Sequence, residues 1–368
     1  MRSFTATFFL VALAENLLVP DSGGGLTIYR IGGSDMDPPP EAGMEGVEFV
    51  PLSWEGAAQG FDGQMQGLTT EGEQIAPLLI TPDDNVMLGA LARGGGAVDF
   101  SISGDAYFKF ALLDAMTDGD PATTFNLRDA GKGLERYPRN VSSRVLFDLG
   151  TRFPINRVRM YPAPRFPERY VEEFSVMAVV GPLTPRLFPG EATEVLRSET
   201  ANRNSVVDVT FPRRNLAQLL LHVRSPGLWE IAEFEVYGDG YVPEATYRSA
   251  VLDLGEASTL GPLRWIGFRD RDARVKIRTR SGLDEDPNRY WRFTGRGDER
   301  TFLDEQGQPL TRTTYESLSF GRSDITPDLD HWSTWSGVYD FADSAATAMV
   351  SSSPRRFLQL QVEFVPKG

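Results

Sequence analysis

The 368-residue chain contains no cysteine and only two histidines, His222 and His331. Without cysteine there are no disulfides, no thiolate metal ligands and no cysteine nucleophile. Two histidines leave little scope for a histidine-based metal site or for a Ser-His-Asp triad. No other pattern of reactive residues stands out, and we predict that the protein is not an enzyme.

Positive charge is also scarce: 37 Lys and Arg stand against 51 Asp and Glu, which gives a net charge of −14. Binding to nucleic acid or to an anionic lipid surface requires a basic footprint, so neither is expected as the main partner. No segment beyond the N-terminus is long and apolar enough to span a bilayer as a helix. This balance fits an exported bacterial protein.

The N-terminus has the pattern of an export signal. Arg2 supplies a positive charge, residues 4–13 form a short apolar region, and residues 12–14 (Ala-Leu-Ala) match a cleavage signal. We expect a signal-like leader over residues 1–14, either cleaved before Glu15 or retained as an anchor. The alternative interpretation is a buried first strand. The leader predicts a periplasmic, extracellular or membrane-associated protein.

Glycine (36 residues) and proline (25 residues) are plentiful, and short apolar segments alternate with turn residues. This pattern predicts an all-β protein with tandem β-sandwich or jelly-roll domains. We expect a small N-terminal β domain over residues 15–104, a sandwich over 105–243 and a C-terminal sandwich over 244–368.

A weak internal repeat supports the tandem arrangement. VLFDLGTRFPINRVRMY, which starts at Val145, and AVLDLGEASTLGPLRWIGF, which starts at Ala250, both place Asp-Leu-Gly between two strand-like segments. Gly150 and Gly255 correspond, and their spacing is about the length of one sandwich.

The segment LWEIAEFEVYGDG, residues 228–240, combines glutamates with apolar residues. Because side chains in a strand alternate between faces, we expect Phe234 and Val236 to pack inward. A bulge near Ile231 reconciles this parity with the apolar residues before it. The glutamates are then interpreted as the solvated face of a strand: Glu230, Glu233 and Glu235.

Three motifs between residues 118 and 238 resemble the discoidin family, the galactose-binding-like sandwich of coagulation-factor type C domains and of bacterial carbohydrate-binding modules. TDGDPATTF resembles the early D-G-x-x-x-T loop, the segment from Val145 resembles the central strands, and WEIAEFEVYG resembles the closing strand. The resemblance covers residues 105–240, and a second related sandwich is expected over 245–368. Each motif is short, and the loops that read sugar or lipid in the family match poorly.

The resemblance implies one structural calcium ion between the early loop and the closing strand. Its ligands here would be Asp118, Asp120, Thr123 and Glu233, completed by backbone carbonyls. Such an all-oxygen set suits calcium. The alternative is a surface turn built from turn-forming residues.

Aromatic residues in loops are the candidate ligand contacts: Phe125, Phe166, Trp229, Trp332 and Trp335. The two C-terminal tryptophans belong to DLDHWSTWS, residues 328–336. Its Asp, His and Ser are neighbours in one loop, whereas a triad converges from separate elements. We interpret the run as a loop that packs its tryptophans on the third domain, with a ligand platform as the alternative.

A second charged pattern precedes that loop. Basic residues from Arg269 to Arg280 alternate with Val275, Ile277 and Thr279. Strand alternation makes them a solvated face or a local docking patch.

Two functions fit these observations. The first is a non-catalytic interaction protein, an accessory subunit that docks through its sandwiches onto a larger assembly at the outer face of a bacterial membrane, such as a respiratory or photosynthetic complex. The second is a secreted, lectin-like carbohydrate-binding protein. Solvent-facing aromatics in the loops would favour glycan, and apolar patches on strand faces would favour a protein partner.

Overall fold

The computed structural model describes residues 5–13, 25–32, 38–71, 74–99, 111–126, 143–181, 193–225, 229–269, 273–295, 297–341 and 344–365. The chain divides into two compact units. Unit 1 combines Met1–Pro77 with Ala245–Val365, and unit 2 comprises Leu78–Glu244 with 366–368. This division differs from the predicted domains, because the expected N-terminal domain 15–104 is shared between the two units.

The described strands are β1 (Thr5–Leu13), β2 (Leu26–Ile31), β3 (Val47–Leu52), β4 (Gln64–Gln66), β5 (Leu68–Glu71), β6 (Gln74–Pro77), β7 (Leu79–Ile80), β8 (Gly96–Asp99), β9 (Phe125–Asn126), β10 (Ser143–Tyr161), β11 (Phe174–Val179), β12 (Thr193–Glu199), β13 (Val207–Val223), β14 (Glu230–Ile231), β15 (Glu233–Gly238), β16 (Gly240–Tyr241), β17 (Ala245–Arg248), β18 (Leu252–Phe268), β19 (Arg274–Gly282), β20 (Asn288–Phe293), β21 (Arg300–Thr301), β22 (Arg322–Pro327), β23 (Ser344–Ala348) and β24 (Arg355–Val365).

Helices are few and short within the same ranges. They are α1 (Trp54–Ala58), α2 (Arg312–Ser317) and the 3-10 turns Pro40–Gly43 and Ala111–Met116. The all-β prediction is therefore confirmed. None of these helices has the length and hydropathy needed to cross a membrane.

Unit 1 is built on one large sheet with the order β3-β2-β1-β18-β24-β17-β4, and β19 runs along β24. β18 serves both halves: Leu252 and Asp253 pair with β24, and Thr259 to Phe268 pair antiparallel with β1. Trp54, Tyr247 and Trp265 are almost fully buried in this unit. A smaller sheet, β21-β20-β22, belongs to the same unit.

The first strand has a different place from that of an export leader. Residues 5–13 form β1, which lies between β2 and β18 and pairs with both along most of its length. The backbone pairing of these residues agrees with the alternative interpretation of the N-terminus, a first strand inside the sheet. Cleavage before Glu15 would remove a strand from the interior of the sheet, and export of the chain stays a prediction.

Unit 2 is a bent sandwich organised by two long strands, β10 and β13. In a first stretch, Ser143–Asp148 of β10 pair with Gln218–Val223 of β13. After a register shift between Asp148 and Phe153, a second stretch pairs Phe153–Met160 with Val207–Leu216. The first stretch continues through β11 to β12 on one side and to β8 on the other, whereas the second stretch pairs with β15. The two long strands therefore cross from one layer to the other.

The core of unit 2 lies between these layers. Phe147 and Phe234 are both fully buried, and their rings stack with centroids 3.7 Å apart. Phe147 comes from the first stretch of β10, and Phe234 from β15, which pairs with the second stretch. The predicted inward orientation of Phe234 and Val236 agrees with their burial.

The Asp-Leu-Gly repeat has the same local geometry in both units. Asp148 Oδ1 accepts a hydrogen bond of 2.8 Å from Gly150 N, and Asp253 Oδ1 accepts one of 2.8 Å from Gly255 N. Both glycines have positive φ, 79° and 84°, a conformation that disfavours residues with a Cβ. The repeat thus marks the point where each long strand bends.

Candidate functional site

The Asp118 loop is a compact turn at the surface of unit 2. Asp118 Oδ1 accepts a hydrogen bond of 2.9 Å from Asp120 N, and Thr123 Oγ1 lies 2.8 Å from Asp118 Oδ2. Asp120 Oδ1 accepts from Ala122 N at 2.9 Å, so this carboxylate caps its own turn. Asp118 and Thr123 are therefore joined directly, while the Asp120 side chain is directed to its own backbone.

Glu233 lies at the start of β15 and is only 4% exposed, which corrects its interpretation as a solvated residue. Neither of its carboxylate oxygens makes a hydrogen bond within the described ranges. Burial, and then the neighbouring Asp118 carboxylate, raise the pKa of Glu233 to about 7, and the nearby N–H of Gly119 acts in the opposite direction. A buried carboxylate, that of Glu233, thus neighbours the exposed carboxylate of Asp118.

This arrangement fits a calcium ion. Neighbouring carboxylates repel when both are ionised, and a divalent cation between them reverses the sign of that interaction. The oxygens of Asp118 and Glu233 are the hard donors that calcium prefers. The structure therefore brings together Asp118, Thr123 and Glu233 of the four predicted ligands, and Asp120 could contribute only after its side chain turns.

A second group of polar residues lies beside the aromatic Phe166. The loop from Ala163 to Arg169 is formed by two successive turns, in which Phe166 N donates to Ala163 O and Arg169 N donates to Phe166 O, each at 2.9 Å. This geometry places the Arg169 guanidinium over the Phe166 ring, 3.7 Å from its centroid. The ring itself is half-buried.

Arg169 also forms an ion pair with Glu230 through Nη1 and Oε1, and Glu230 N donates to Arg169 O at 2.8 Å. Glu230 is 4% exposed, so it too was wrongly assigned to a solvated face. Its second oxygen, Oε2, makes no hydrogen bond in the part of the chain that the structure describes. A partly exposed guanidinium, held by a buried carboxylate, and an aromatic ring thus converge at one place.

The other predicted aromatics of unit 2 contribute less. Trp229 is only 6% exposed, so it offers little surface to a ligand. The backbone of Phe125 pairs with Ile231 between β9 and β14, and the Phe125 side chain lies outside the described residues.

The C-terminal tryptophans stack on a buried arginine. Arg280 lies 5.3 Å from the Trp332 ring centroid and 4.6 Å from that of Trp335. Trp332 is buried and packs on Gly282, where an added Cβ would lie 2.1 Å from the indole. Trp335 is half-buried. This agrees with the packing interpretation of that loop.

The serines of the same loop are engaged with β19. Ser333 Oγ and Ser336 Oγ accept hydrogen bonds of 3.1 Å from Ser281 N and Thr279 N. Both hydroxyls therefore take the place of strand carbonyls along the edge of β19. The geometry gives neither serine the setting of a nucleophile.

Arg280 itself departs from the predicted solvated face. It is 6% exposed, and its guanidinium donates to Asp62 Oδ2 at 2.8 Å and to Gln359 Oε1 at 2.8 Å. Burial lowers the pKa of Arg280 to about 10. Lys276, four positions earlier, pairs with Glu363 on β24. Arg280 and Lys276 of the basic pattern thus make contacts inside unit 1.

One of the two histidines lies in a basic environment. His222, on β13, is half-buried. Burial, and then the charges of Arg144 and Arg224, lower its pKa to about 4, while Glu173 acts in the opposite direction. His222 is therefore neutral at physiological pH.

No family model matches the chain, and no curated protein matches it. Solved structures that do match include a chitosan-binding module of a chitosanase/glucanase from Paenibacillus sp. IK-5, at 20% identity over 42% of this chain and 99% of that one, with a TM-score of 0.30. A second module of the same enzyme, in complex with chitotriose, matches at 20% identity over 42% and 100%, with a TM-score of 0.29.

The family 32 carbohydrate-binding module of C. perfringens NanJ, in complex with galactose, matches at 16% identity over 39% of this chain and 93% of that one, with a TM-score of 0.29. At these identities and TM-scores the matches carry no argument about this chain. The resemblance to discoidin domains stays a prediction beyond the all-β fold.

Proposed function

We propose that the protein is a non-catalytic glycan-binding protein and that unit 2 holds the glycan at Phe166, Arg169 and Glu230. The observation that carries this proposal is the Arg169–Glu230 ion pair beside the Phe166 ring. Sugar hydroxyls can accept hydrogen bonds from the partly exposed guanidinium N–H groups of Arg169, and the buried Glu230 carboxylate holds that guanidinium in position. The apolar face of a sugar ring can pack on the aromatic ring.

Burial of the ion pair favours a preformed site. Glu230 is held by the surrounding backbone and by Arg169, so little side-chain entropy remains to be lost on binding. Such sites combine an apolar surface with a few fixed polar groups. Phe320 in unit 1, by contrast, is an aromatic that is 87% exposed.

The test is isothermal titration calorimetry of the full chain against a panel of soluble oligosaccharides that includes galactose and chitotriose. We expect binding to one class, and a loss of about tenfold or more, ~1.4 kcal/mol, in Phe166→Ala. Phe320→Ala in unit 1 is the matched control and should bind normally. Unchanged affinity in Phe166→Ala, or no binding across the panel with folded protein, would contradict the proposal.

The second element of the proposal is a structural calcium ion held by Asp118, Thr123 and Glu233, with Asp120 as a further candidate ligand. When bound, calcium would neutralise the facing carboxylates and fix the loop against β15. A ligand that binds only the native state stabilises it by about 2.7 kcal/mol at a hundredfold excess over Kd. The support is the buried Glu233 carboxylate that makes no hydrogen bond in the described ranges.

Thermal melting with calcium and with a chelator tests this element. The wild-type melting temperature should fall with the chelator, whereas that of Glu233→Gln should not respond to either. Asp120→Asn separates the roles of the two loop carboxylates, since its response should resemble that of the wild type if Asp120 stays directed to its own turn. A wild-type melting temperature that ignores the chelator would remove the calcium ion from the proposal.

Docking to another protein is the second candidate function. Its support is three exposed apolar residues on or next to the β20–β22 sheet: Phe293 is 37%, Ile325 is 53% and Phe320 is 87% exposed. Phe293 N donates to Gly321 O at 2.8 Å, so the first and last of these residues are neighbours. The test is purification of the protein from its native source. A stoichiometric partner that is lost in Phe320→Ser would favour this function, whereas a protein that purifies without a partner would oppose it.

A further inference from the structure

Asp284, Asp328 and His331 converge at one end of the DLDHWSTWS loop in unit 1. Asp284 follows β19, and the other two residues follow β22. Backbone hydrogen bonds tie the two loops together: Asp328 N donates to Pro287 O at 2.9 Å, and Leu283 N donates to His331 O at 3.0 Å. The three side chains are thus positioned by the edges of a folded sheet.

The ligand atoms have the spacing of a metal site. His331 Nδ1 lies 2.8 Å from Asp328 Oδ2 and 3.6 Å from Asp284 Oδ2, and the three groups offer atoms within 4.8 Å of one another. Zinc–nitrogen and zinc–oxygen bonds of about 2.0–2.2 Å in a tetrahedron place ligand atoms ~3.4 Å apart. The observed distances lie on either side of that value, so small side-chain rotations complete the geometry.

The remaining carboxylate oxygens are already occupied. Asp284 Oδ1 accepts from Trp332 Nε1 at 3.1 Å. Asp328 Oδ1 accepts from Arg289 Nη2 at 2.5 Å and from Asp330 N at 3.2 Å. These donors leave the Oδ2 atom of each carboxylate facing the imidazole. Outer hydrogen bonds of this kind orient metal ligands in known sites.

We propose that Asp284, Asp328 and His331 bind a divalent transition-metal ion, with zinc as the reference ion. An imidazole with two carboxylates suits zinc and its neighbours, whereas calcium and magnesium prefer oxygen alone. Asp328 is 11% exposed, while Asp284 and His331 are 45% and 51% exposed. Three protein ligands with an open side leave room for water or for a donor atom of a bound molecule.

The competing state of the same residues is an ion pair. A protonated His331 can donate from Nδ1 to Asp328 Oδ2 and needs no metal. A metal ion and this proton compete for one nitrogen, so the two states exclude each other. The choice between them is open to direct measurement because the chain offers a control histidine.

The experiment is a zinc titration of the full, tag-free chain after chelator treatment, read by calorimetry, with cobalt absorption in the visible range as a second readout. We expect one zinc per chain in the wild type and a Kd higher by at least about tenfold in His331→Gln. Asp284→Asn, whose amide oxygen still accepts from Trp332, should weaken binding as well. His222→Gln removes the only other histidine and should bind as the wild type does.

Circular dichroism of each variant confirms that it is folded; the exposed position of His331 makes its replacement mild. The proposal is overturned if the wild type binds no zinc at ~100 µM, a concentration at which even weak extracellular calcium modules begin to bind their ion, or if His331→Gln binds equally well. It is also overturned if His222→Gln abolishes binding. Because glycan binding is proposed for unit 2, failure here leaves that proposal untouched.

Discussion

Replacement of Gly150 and Gly255 by alanine should have unequal costs, although the two glycines occupy equivalent turns. Both have positive φ, and an alanine in that region costs about 1–2 kcal/mol. At Gly255 an added Cβ meets no atom within 4 Å, whereas at Gly150 it lies 2.6 Å from Arg93 Cβ and 2.8 Å from Arg93 O. Only one of the two substitutions therefore creates a clash.

Arg93 has little freedom to move away from Gly150. Its Nε donates to Leu149 O at 2.9 Å, and its guanidinium lies 5.0 Å from the Phe153 ring centroid. Overpacking against a fixed neighbour costs about 1–3 kcal/mol. The gain from a less flexible unfolded chain, about 0.4–1 kcal/mol, is the same in both variants. Gly255→Ala should thus cost about 0–1.5 kcal/mol, and Gly150→Ala ~1–3 kcal/mol more.

Urea unfolding of the full chain measures both values, and hydrogen exchange of peptides from β10 and β18 assigns each loss to its unit. The difference between the variants isolates the contact with Arg93, since strain and unfolded-state effects cancel. Equal losses would refute the structural difference between the two turns. A large loss in Gly255→Ala alone would refute the equivalence of their backbone.

Three further predictions concern stability. Phe234→Ala should cost about 3–5 kcal/mol because it opens a cavity under a stacked ring, whereas Glu235→Ala should cost under about 1 kcal/mol; similar values in urea unfolding would show that the faces of β15 are misassigned. Because the folded state lowers the pKa of His222, the free energy of unfolding should be highest above about pH 6.5 and should fall by at most ~3 kcal/mol as the pH decreases toward 4. His222→Gln should flatten that part of the curve of unfolding free energy against pH. Deletion of residues 1–14 removes β1 and should abolish the thermal transition of unit 1; a truncated chain that melts like the full one would show that β1 is dispensable.

The strand pattern and the bends of both long strands could be predicted from local sequence. Alternation assigned Phe234 correctly because the inward face of a strand depends on apolar content alone. The same rule failed for Glu230 and Glu233, since their outward face is covered by the Arg169 and Asp118 loops. The alternation of side chains along a strand shows which residues share a face, but it does not show whether a loop from elsewhere in the chain covers that face.

Long-range partners account for the other differences. Arg280 has the parity of an exposed residue, but Asp62, which receives its hydrogen bond, lies 218 residues away. β1 has the composition of an export leader, and only its pairing with β18 reveals a strand. The proposed metal site at His331 also needs Asp284, which comes from another loop. The DLDHWSTWS segment by itself therefore indicated a packing role and no metal site.

The interruption of unit 1 by unit 2 has a consequence for synthesis on the ribosome. β7 and β16 pair with each other, so the chain enters and leaves unit 2 at adjacent points, and this unit is contiguous from Leu78 to Glu244. Unit 1 must wait for β24, about 280 residues after Pro77, or roughly 15–55 s at ~5–20 residues per second. For about the first 175 residues of that interval, β1 also lacks its partner β18. Translation thus orders the assembly, with unit 2 complete first and the early strands in need of protection until the last one emerges.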